Sequence, residues 1–238
     1  MAKVSSEWTV REHGELEALS DNLWRVEGTV PGMALRRVMT VARTRAGKLV
    51  LHSAIALDEQ RAKQLEALGE FADLLVPNGF HRLDAAAYKK RYPALRVFAP
   101  RGSRAKVEQV VKVDGTYEDF PNDESVRLLT LPGTGEAEGA MLVFSSDGVS
   151  VVLNDVVFNM DKPKSPLGFL LTTLLGSAPG PRVSRLAKLA LVKDKRALRS
   201  ELERLGAMPE LVRLVVSHDK VAKGGAASEA LQRAATYL

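Results

Sequence analysis

Short apolar runs alternate with polar segments of helical period along this chain, a pattern that predicts an α/β protein. Between residues 49 and 99 the pattern indicates strand, helix, strand, helix and strand in that order. The first helix is predicted over 59–69, with Asp58 as its N-cap and Gly69 at its end. Because strands joined through helices pair in parallel with right-handed crossovers, this part of the chain predicts a parallel sheet.

Two hairpin signals lie on either side of that parallel part. Strands at 36–44 and 49–51 flank a short turn, and strands at 140–145 and 149–153 flank Asp147-Gly148, which suits a tight hairpin. Two strand-rich halves with helices predict two sheets packed face to face with helices outside, a four-layer αβ/βα sandwich of the α/β (α+β) class. A three-layer doubly wound sheet is the alternative, but it does not explain the hairpins.

The remaining pattern assigns most of the chain to one domain. Residues 1–20 are interpreted as a polar lead-in, and residues 21–238 as a single domain. Its first strand, 23–26, is expected to end at a Gly/Pro break over 28–32. A helical segment is predicted at about 163–208, before the last core strand.

Composition and charge narrow the classes of function. The 238 residues include no cysteine, which excludes disulfides and thiolate chemistry and suits a reducing cytoplasm. The N-terminus has no apolar core of signal-peptide length, and no run approaches the ~20 apolar residues of a membrane span. The net charge of +5 comes from 34 basic residues interleaved with 29 acidic ones, without a basic-aromatic cluster. Nucleic acid is therefore not expected as a partner.

The candidate chemistry lies where core strands end. His52, Asp155 and His218 each follow an apolar strand, and Asn78 and His81 lie in the loop between a strand and the next helix. Because such strand ends meet at one edge of an α/β sheet, we expect these side chains to converge. Imidazole and carboxylate groups bind divalent metals and transfer protons near neutral pH. One such histidine is more often a surface or capping residue, but three of the chain's four histidines share this position.

The order of five features resembles the metallo-β-lactamase fold. They are the opening hairpin, the loop with His81, LTLPGTG at 129–135, LNDVVF at 153–158 and VVSHD at 215–219. The chain resembles in particular an uncharacterised branch of that superfamily, in which the central loop reads Pro-Asn followed by a His. The resemblance covers about residues 20–238 and implies the same four-layer sandwich.

Carried over position by position, the metal ligands of that superfamily are only partly present. Asp155 matches the acidic residue that bridges two metal ions, and His218 matches the last histidine ligand. The central loop does not keep the motif His-x-His-x-Asp-His. With His81 in the second position, Leu83 stands where the metal-binding Asp belongs and Asp84 where the last His belongs.

A further ligand position falls in a Pro-Gly-His segment, where Thr134 replaces the histidine. The resemblance therefore implies a degenerate site that lacks the di-metal centre. Two main interpretations stay open, and nucleic-acid processing, which resembles the function of other branches of the superfamily, ranks after both. The favoured one is a pocket without a metal cofactor that can bind a small molecule. The other is a divergent hydrolase in which His81, Asp155 and His218 hold one zinc or iron ion. The pocket candidates are His52, Asn78, His81, Asp84, Thr134, Asp155 and His218.

One apolar stretch, 167–175, is bracketed by segments rich in Pro and Gly. It is interpreted as a buried helix that covers the sheet. The alternatives are a lid over the pocket or an apolar patch on the surface that forms a homodimer. The homodimer contact would use Leu167, Leu170, Leu171 and Leu174.

Overall fold

The structure is a computed structural model that describes residue 4 and residues 6–161, 166–218 and 220–238, without the side chains at 34, 166–169 and 171. It contains two mixed sheets and seven α-helices among the described residues. No helix among these residues is long and apolar enough to cross a membrane.

The first sheet has seven strands that lie side by side in chain order. They are β1 (Glu17–Ser20), β2 (Leu23–Val30), β3 (Met33–Arg43), β4 (Lys48–His52), β5 (Glu70–Leu75), β6 (Arg96–Ala99) and β7 (Gly115–Thr116). Strands β1 to β4 are antiparallel, and β4 to β7 are parallel. The first hairpin and the parallel order predicted for 49–99 are both confirmed.

The second sheet has five strands, in the order β12, β11, β10, β9, β8. They are β8 (Val126–Thr130), β9 (Gly139–Ser145), β10 (Gly148–Val152), β11 (Leu211–Val215) and β12 (Ala222–Lys223). Strands β9 and β10 form the predicted hairpin, whereas β10 and β11 are parallel. The carboxyl ends of β10 and β11 therefore lie side by side, which places the residues that follow them at one edge of the sheet.

Seven α-helices lie among the described residues, and all except the fourth pack on the outer faces of the two sheets. They are α1 (Glu59–Glu66), α2 (Ala85–Arg91), α3 (Arg104–Val107), α4 (Pro166–Leu175), α5 (Arg185–Ala190), α6 (Lys195–Gly206) and α7 (Gly225–Ala235). The Asp58 side chain accepts a hydrogen bond from Arg61 N, so it caps α1 as predicted. Two short 3₁₀ helices are present: Arg101–Ser103 lies between β6 and α3, and Tyr117–Asp119 lies between β7 and β8.

Three apolar clusters define four layers. The central cluster lies between the sheets and joins residues such as Val50 and Leu75 of the first sheet to Met141 and Val152 of the second. A second cluster packs α1, α2 and α3 on the first sheet, and a third packs α5, α6 and α7 on the second. Because each sheet buries both of its faces, the four-layer αβ/βα sandwich is confirmed.

The break predicted over 28–32 is wrong for most of its length. Strand β2 continues through Gly28, which pairs with Arg37 of β3. A Cβ atom at Gly28 would lie 3.1 Å from the Ile55 side chain, so the glycine serves close packing rather than a turn. The turn to β3 comes only after Val30.

Part of the polar lead-in contacts the folded core. Residues 17–20 form β1, whereas residues 8–10 form no strand. The Trp8 ring instead packs on Tyr88, with ring centroids 4.7 Å apart, and its indole N–H donates to the Leu57 carbonyl at 2.8 Å. The segment before β1 is thus held both by side-chain contacts and by the backbone pairing of His13 with Gly28 of β2.

Helix α4 does not fit the interpretation of a buried helix. Leu170 and Leu174 are 62% and 63% exposed, and Leu175 is also exposed. The side chains of Leu167 and Leu171 lie outside the described residues, so the structure leaves their part of the suggested homodimer contact as a prediction.

Substitution of Gly139 by Ala will test how tightly the two sheets are packed. A Cβ atom at Gly139 would lie 2.7 Å from the Leu129 carbonyl oxygen and closer still to the ring of the buried Tyr117. We expect Gly139→Ala to lower the free energy of unfolding by about 1–3 kcal/mol, the usual cost of overpacking. Urea denaturation followed by fluorescence measures this. Gly225→Ala is the control, because a Cβ there meets no atom within 4 Å; an equal loss in both variants would contradict the packing account.

Candidate functional site

Three side chains from separate parts of the chain meet where strands of both sheets end. His81 lies in the loop after β5, Asp155 follows β10 and His218 follows β11. The Nε2 atoms of His81 and His218 lie 3.0 and 3.1 Å from Asp155 Oδ1. One possible ligand atom from each residue lies within 4.8 Å of the other two. Two imidazoles and a carboxylate at this spacing are a donor set that suits a borderline divalent ion.

Asp155 is the ionised centre of this cluster. Burial opposes its ionisation, but the charges and hydrogen bonds of His81 and His218 outweigh burial and hold the pKa of Asp155 well below its usual value. Asp155 Oδ2 accepts a hydrogen bond of 2.9 Å from Asn78 Nδ2. The carboxylate therefore has a fixed orientation, with Oδ1 toward both imidazoles.

His81 is held on its far side by Ser53. Ser53 Oγ and His81 Nδ1 lie 2.8 Å apart. Ser53 directly follows β4 and has φ 57°, a left-handed conformation that is uncommon for residues other than glycine. Its N–H donates to the carbonyl of Leu75, the last residue of β5. Because a hydroxyl can either donate or accept, both tautomers of His81 keep this hydrogen bond.

His218 has one ring nitrogen already committed. Its Nδ1 lies 2.6 Å from the Arg36 carbonyl oxygen, so this nitrogen must carry the hydrogen. The Phe158 ring stacks on His218, with centroids 5.1 Å apart and 16° between the planes. A neutral His218 therefore turns the lone pair of Nε2 toward the carboxylate of Asp155. That arrangement requires a cation, either a proton or a metal ion, between the two groups.

Glu138 is a buried residue of the site that was not predicted from the sequence. Backbone N–H groups of Asn154, Asp155 and Val156 donate to its carboxylate at 3.2, 3.1 and 3.0 Å, and Asn78 Nδ2 donates at 2.9 Å. Burial and the charge of Asp155 raise the pKa of Glu138, while these four donors favour its carboxylate form. In the sequence its only signal is a charged residue directly before the apolar run of β9.

His52 lies beneath the cluster rather than in it. The side chain is fully buried, and its Nε2 has no hydrogen-bond partner among the described residues. Burial, with a smaller contribution from the nearby His81, lowers the pKa of His52 to about 3. This imidazole is therefore neutral across the physiological range.

Two further candidates from the sequence, Asp84 and Thr134, also lie outside the cluster. Asp84 is buried and forms ion pairs with Arg37 and Arg11, and it also accepts the N–H of Ala56 at 3.1 Å. Thr134 is buried in the turn before Glu138, where its hydroxyl donates to the Leu131 carbonyl at 2.8 Å. Both contacts tie loops together, and neither residue lines the cleft described next.

A cleft of about 470 Å³ opens above His81, Asp155 and His218. Its walls are mostly apolar and come from β2 and β3, the central loop, the segment after β10, and α5. The lining includes Val30, Met33, Leu35, Phe80, Leu83, Phe158, Leu186 and Leu191. The sequence did not predict these residues, because they come from several separate stretches of the chain and no spacing links those stretches.

The sequence matches no protein-family model and no curated protein. The structure, in contrast, superposes on solved metallo-β-lactamases over nearly the whole chain. The chain has the metallo-β-lactamase fold.

Three solved metallo-β-lactamases show the extent of the match. The DIM-1 enzyme exposed to ceftazidime has a TM-score of 0.62 and 13% identity, with 94% of this chain and 98% of that chain covered. The FIM-1 enzyme of Pseudomonas aeruginosa in its mono-zinc form has a TM-score of 0.61 and 11% identity, with 98% of each chain covered. A metallo-β-lactamase of Erythrobacter litoralis has a TM-score of 0.63 and 13% identity, over 94% and 96% of the two chains. At these identities the similarity to metallo-β-lactamases shows the fold.

The buried His52 predicts a definite pH dependence of stability. In the unfolded chain its pKa returns to about 6.5, so between about pH 6.5 and 3 the unfolded state binds the extra proton and stability falls as the pH falls. The slope from this residue approaches about 1.4 kcal/mol per pH unit. We expect urea denaturation of His52→Gln at pH 7, 6 and 5 to give a flatter profile than that of the wild type. Parallel profiles would show that His52 does not titrate in this way.

Proposed function

We propose that this protein is a divergent hydrolase of the metallo-β-lactamase fold whose degenerate site holds one divalent metal ion rather than two. His81 Nε2, Asp155 Oδ1 and His218 Nε2 are the proposed ligands. The grouping of these three atoms within 4.8 Å, at the base of an open cleft, is the observation that carries the proposal. Three protein ligands leave a coordination position for water or substrate, as catalytic metal sites require.

The surroundings of each proposed ligand support a metal site. Histidine ligands usually donate their second ring N–H to a carbonyl, a carboxylate or water, which fixes the tautomer. His218 donates to the Arg36 carbonyl in this way, and His81 can donate to Ser53 Oγ. Asn78 Nδ2 likewise donates to Asp155 Oδ2, which fixes the orientation of that carboxylate.

A single ion is the number that the donors support. Among the described residues, only this group of His, Asp and Glu side chains is close enough to share an ion. Leu83 and Thr134 stand where the resemblance places further ligands, and Thr134 is engaged with the Leu131 carbonyl. The donor set of imidazole and carboxylate suits zinc or iron.

The residues of the cleft would have separate roles in hydrolysis. A bound zinc or iron ion would supply Lewis-acid activation of water and of the scissile group. His81, Asp155 and His218 would hold that ion at the base of the open cleft. The apolar wall, with Phe158 stacked on His218, would hold an apolar part of the substrate and exclude bulk water from the reacting group.

A second candidate function is a non-catalytic pocket that binds a small molecule. The hydrogen bonds that Asp155 Oδ1 can accept from both imidazoles favour it, because a proton on His218 satisfies the cluster without a metal ion. The two candidates differ in what they predict for added metal.

Metal binding to three variants will separate the candidates. We expect the wild type to bind one zinc or ferrous ion per chain, and the melting temperature to rise with metal concentration, by an amount worth about 2.7 kcal/mol at a hundredfold excess over Kd. His218→Gln removes a proposed ligand and should abolish stoichiometric binding. Asn78→Ala removes only a supporting hydrogen bond and should weaken binding about 10–100-fold. Elemental analysis and calorimetric titration measure both effects.

His13→Gln is the matched control, because His13 is the one histidine apart from the site. Its ring contacts Gly14 O and Asp58 N instead. This variant should bind metal as the wild type does. If the wild type binds neither ion and neither ion shifts its melting temperature, the metal site is excluded and the non-catalytic pocket is the better account.

A further inference from the structure

One segment of this protein holds basic residues that form no ion pairs among the described residues. Residues 166–199 contain seven basic residues and one acidic residue, Asp194, whereas the net charge of the whole chain is +5. The rest of the chain is therefore close to neutral and slightly acidic. The basic residues are Arg182, Arg185, Lys188, Lys193, Lys195, Arg196 and Arg199. Among the residues that the structure describes, none of these seven forms an ion pair, so their charge is not neutralised within the fold.

The same segment carries most of the exposed apolar side chains. Eight large apolar residues of the described chain are exposed, and five of them are leucines of α4 and α5. Leu170 and Leu174 lie one turn apart on α4, and Leu186 and Leu189 lie one turn apart on α5. Leu189 is 82% exposed, which is unusual for a leucine on a helix of a packed domain. Along α5, Arg185 and Lys188 alternate with the exposed Leu186 and Leu189, so this helix presents an amphipathic surface.

This surface is continuous with the cleft. Phe158 and Arg182 pair through two backbone hydrogen bonds of 2.9 Å. The part of the chain that contains α4 therefore begins and ends beside the site. Arg185 at the start of α5 reaches back to the Leu174 carbonyl at the end of α4. Leu186 lines the cleft, and Leu189, one turn later, faces solvent. Helix α5 thus joins the exposed leucines to the wall of the cleft.

We propose that the surface formed by α4 and α5 docks on an anionic lipid bilayer. Leucines on a short helix can enter the boundary between headgroups and acyl chains, while nearby Lys and Arg side chains meet anionic headgroups. A second copy of the chain is a poorer partner, because an isologous contact would bring two segments of net charge +6 together. Nucleic acid is also disfavoured, since no aromatic residue lies among the basic residues between 182 and 199.

Sedimentation with vesicles tests this docking. We expect the protein to bind vesicles of equimolar phosphatidylcholine and phosphatidylglycerol at least tenfold more tightly than vesicles of phosphatidylcholine alone, and salt to weaken that binding. Leu174→Glu and Leu189→Glu should each reduce binding to the anionic vesicles roughly tenfold, because each loses a membrane-inserting side chain and adds a negative charge. Val10→Glu is the matched control, since Val10 is also exposed but lies outside the segment.

Several results would overturn the proposal. These are absence of binding, equal binding to both kinds of vesicle, or an equal loss in Val10→Glu and the leucine variants. Light scattering without lipid gives a further check: a dimer that Leu189→Glu converts to a monomer would assign the surface to self-association instead. Vesicle binding does not require the proposed metal. We expect His218→Gln to sediment with anionic vesicles as the wild type does, so this proposal and the metal site can fail separately.

Discussion

The geometry of the site depends on one buried carboxylate, that of Glu138. It accepts hydrogen bonds from three consecutive backbone N–H groups at 154–156, and this fixes the chain as it leaves β10. Asn78 then bridges Glu138 and Asp155, so the loop after β5 in the first sheet is tied to the end of β10 in the second. Without these bonds the two sheets could still pack through their apolar faces. The direction in which Asp155 points would not be determined.

The same arrangement creates an electrostatic constraint. Two buried carboxylates, Glu138 and Asp155, share one amide and lie in a region of low dielectric, where the charge of each disfavours the charge of the other. Positive charge on the far side of Asp155 relieves this repulsion. His81 and His218 are placed to supply it as imidazolium or to hold a metal cation between them. The site is thus built around a place for positive charge, whichever cation occupies it.

The sequence predicted the fold better than the site. Apolar periodicity and the Asp147-Gly148 turn were enough for the two sheets and their layers, because burial of strands on both faces leaves a strong pattern. Two-residue strands such as β7 and β12 are too short to produce a recognisable apolar pattern in the sequence. Gly28 was misread as a break because a glycine that serves close packing against Ile55 looks like a turn glycine in the sequence. Position after a core strand correctly brought His81, Asp155 and His218 together, since the ends of β5, β10 and β11 share an edge.

What the sequence could not predict depends on contacts between distant residues. Glu138 and Ser53 act through partners that are 16 or more positions away, and Asp84 looked like a site residue although it neutralises Arg37. The cleft shows the same limit, because its wall is completed by α5, which follows Asp155 by some thirty residues. The polar cluster is fixed by buried hydrogen bonds, whereas the wall contributed by α5 is held by backbone pairing at Phe158 and Arg182 and by packing on the second sheet. Changes in that segment can therefore alter what the cleft accepts while the geometry of His81, Asp155 and His218 is preserved.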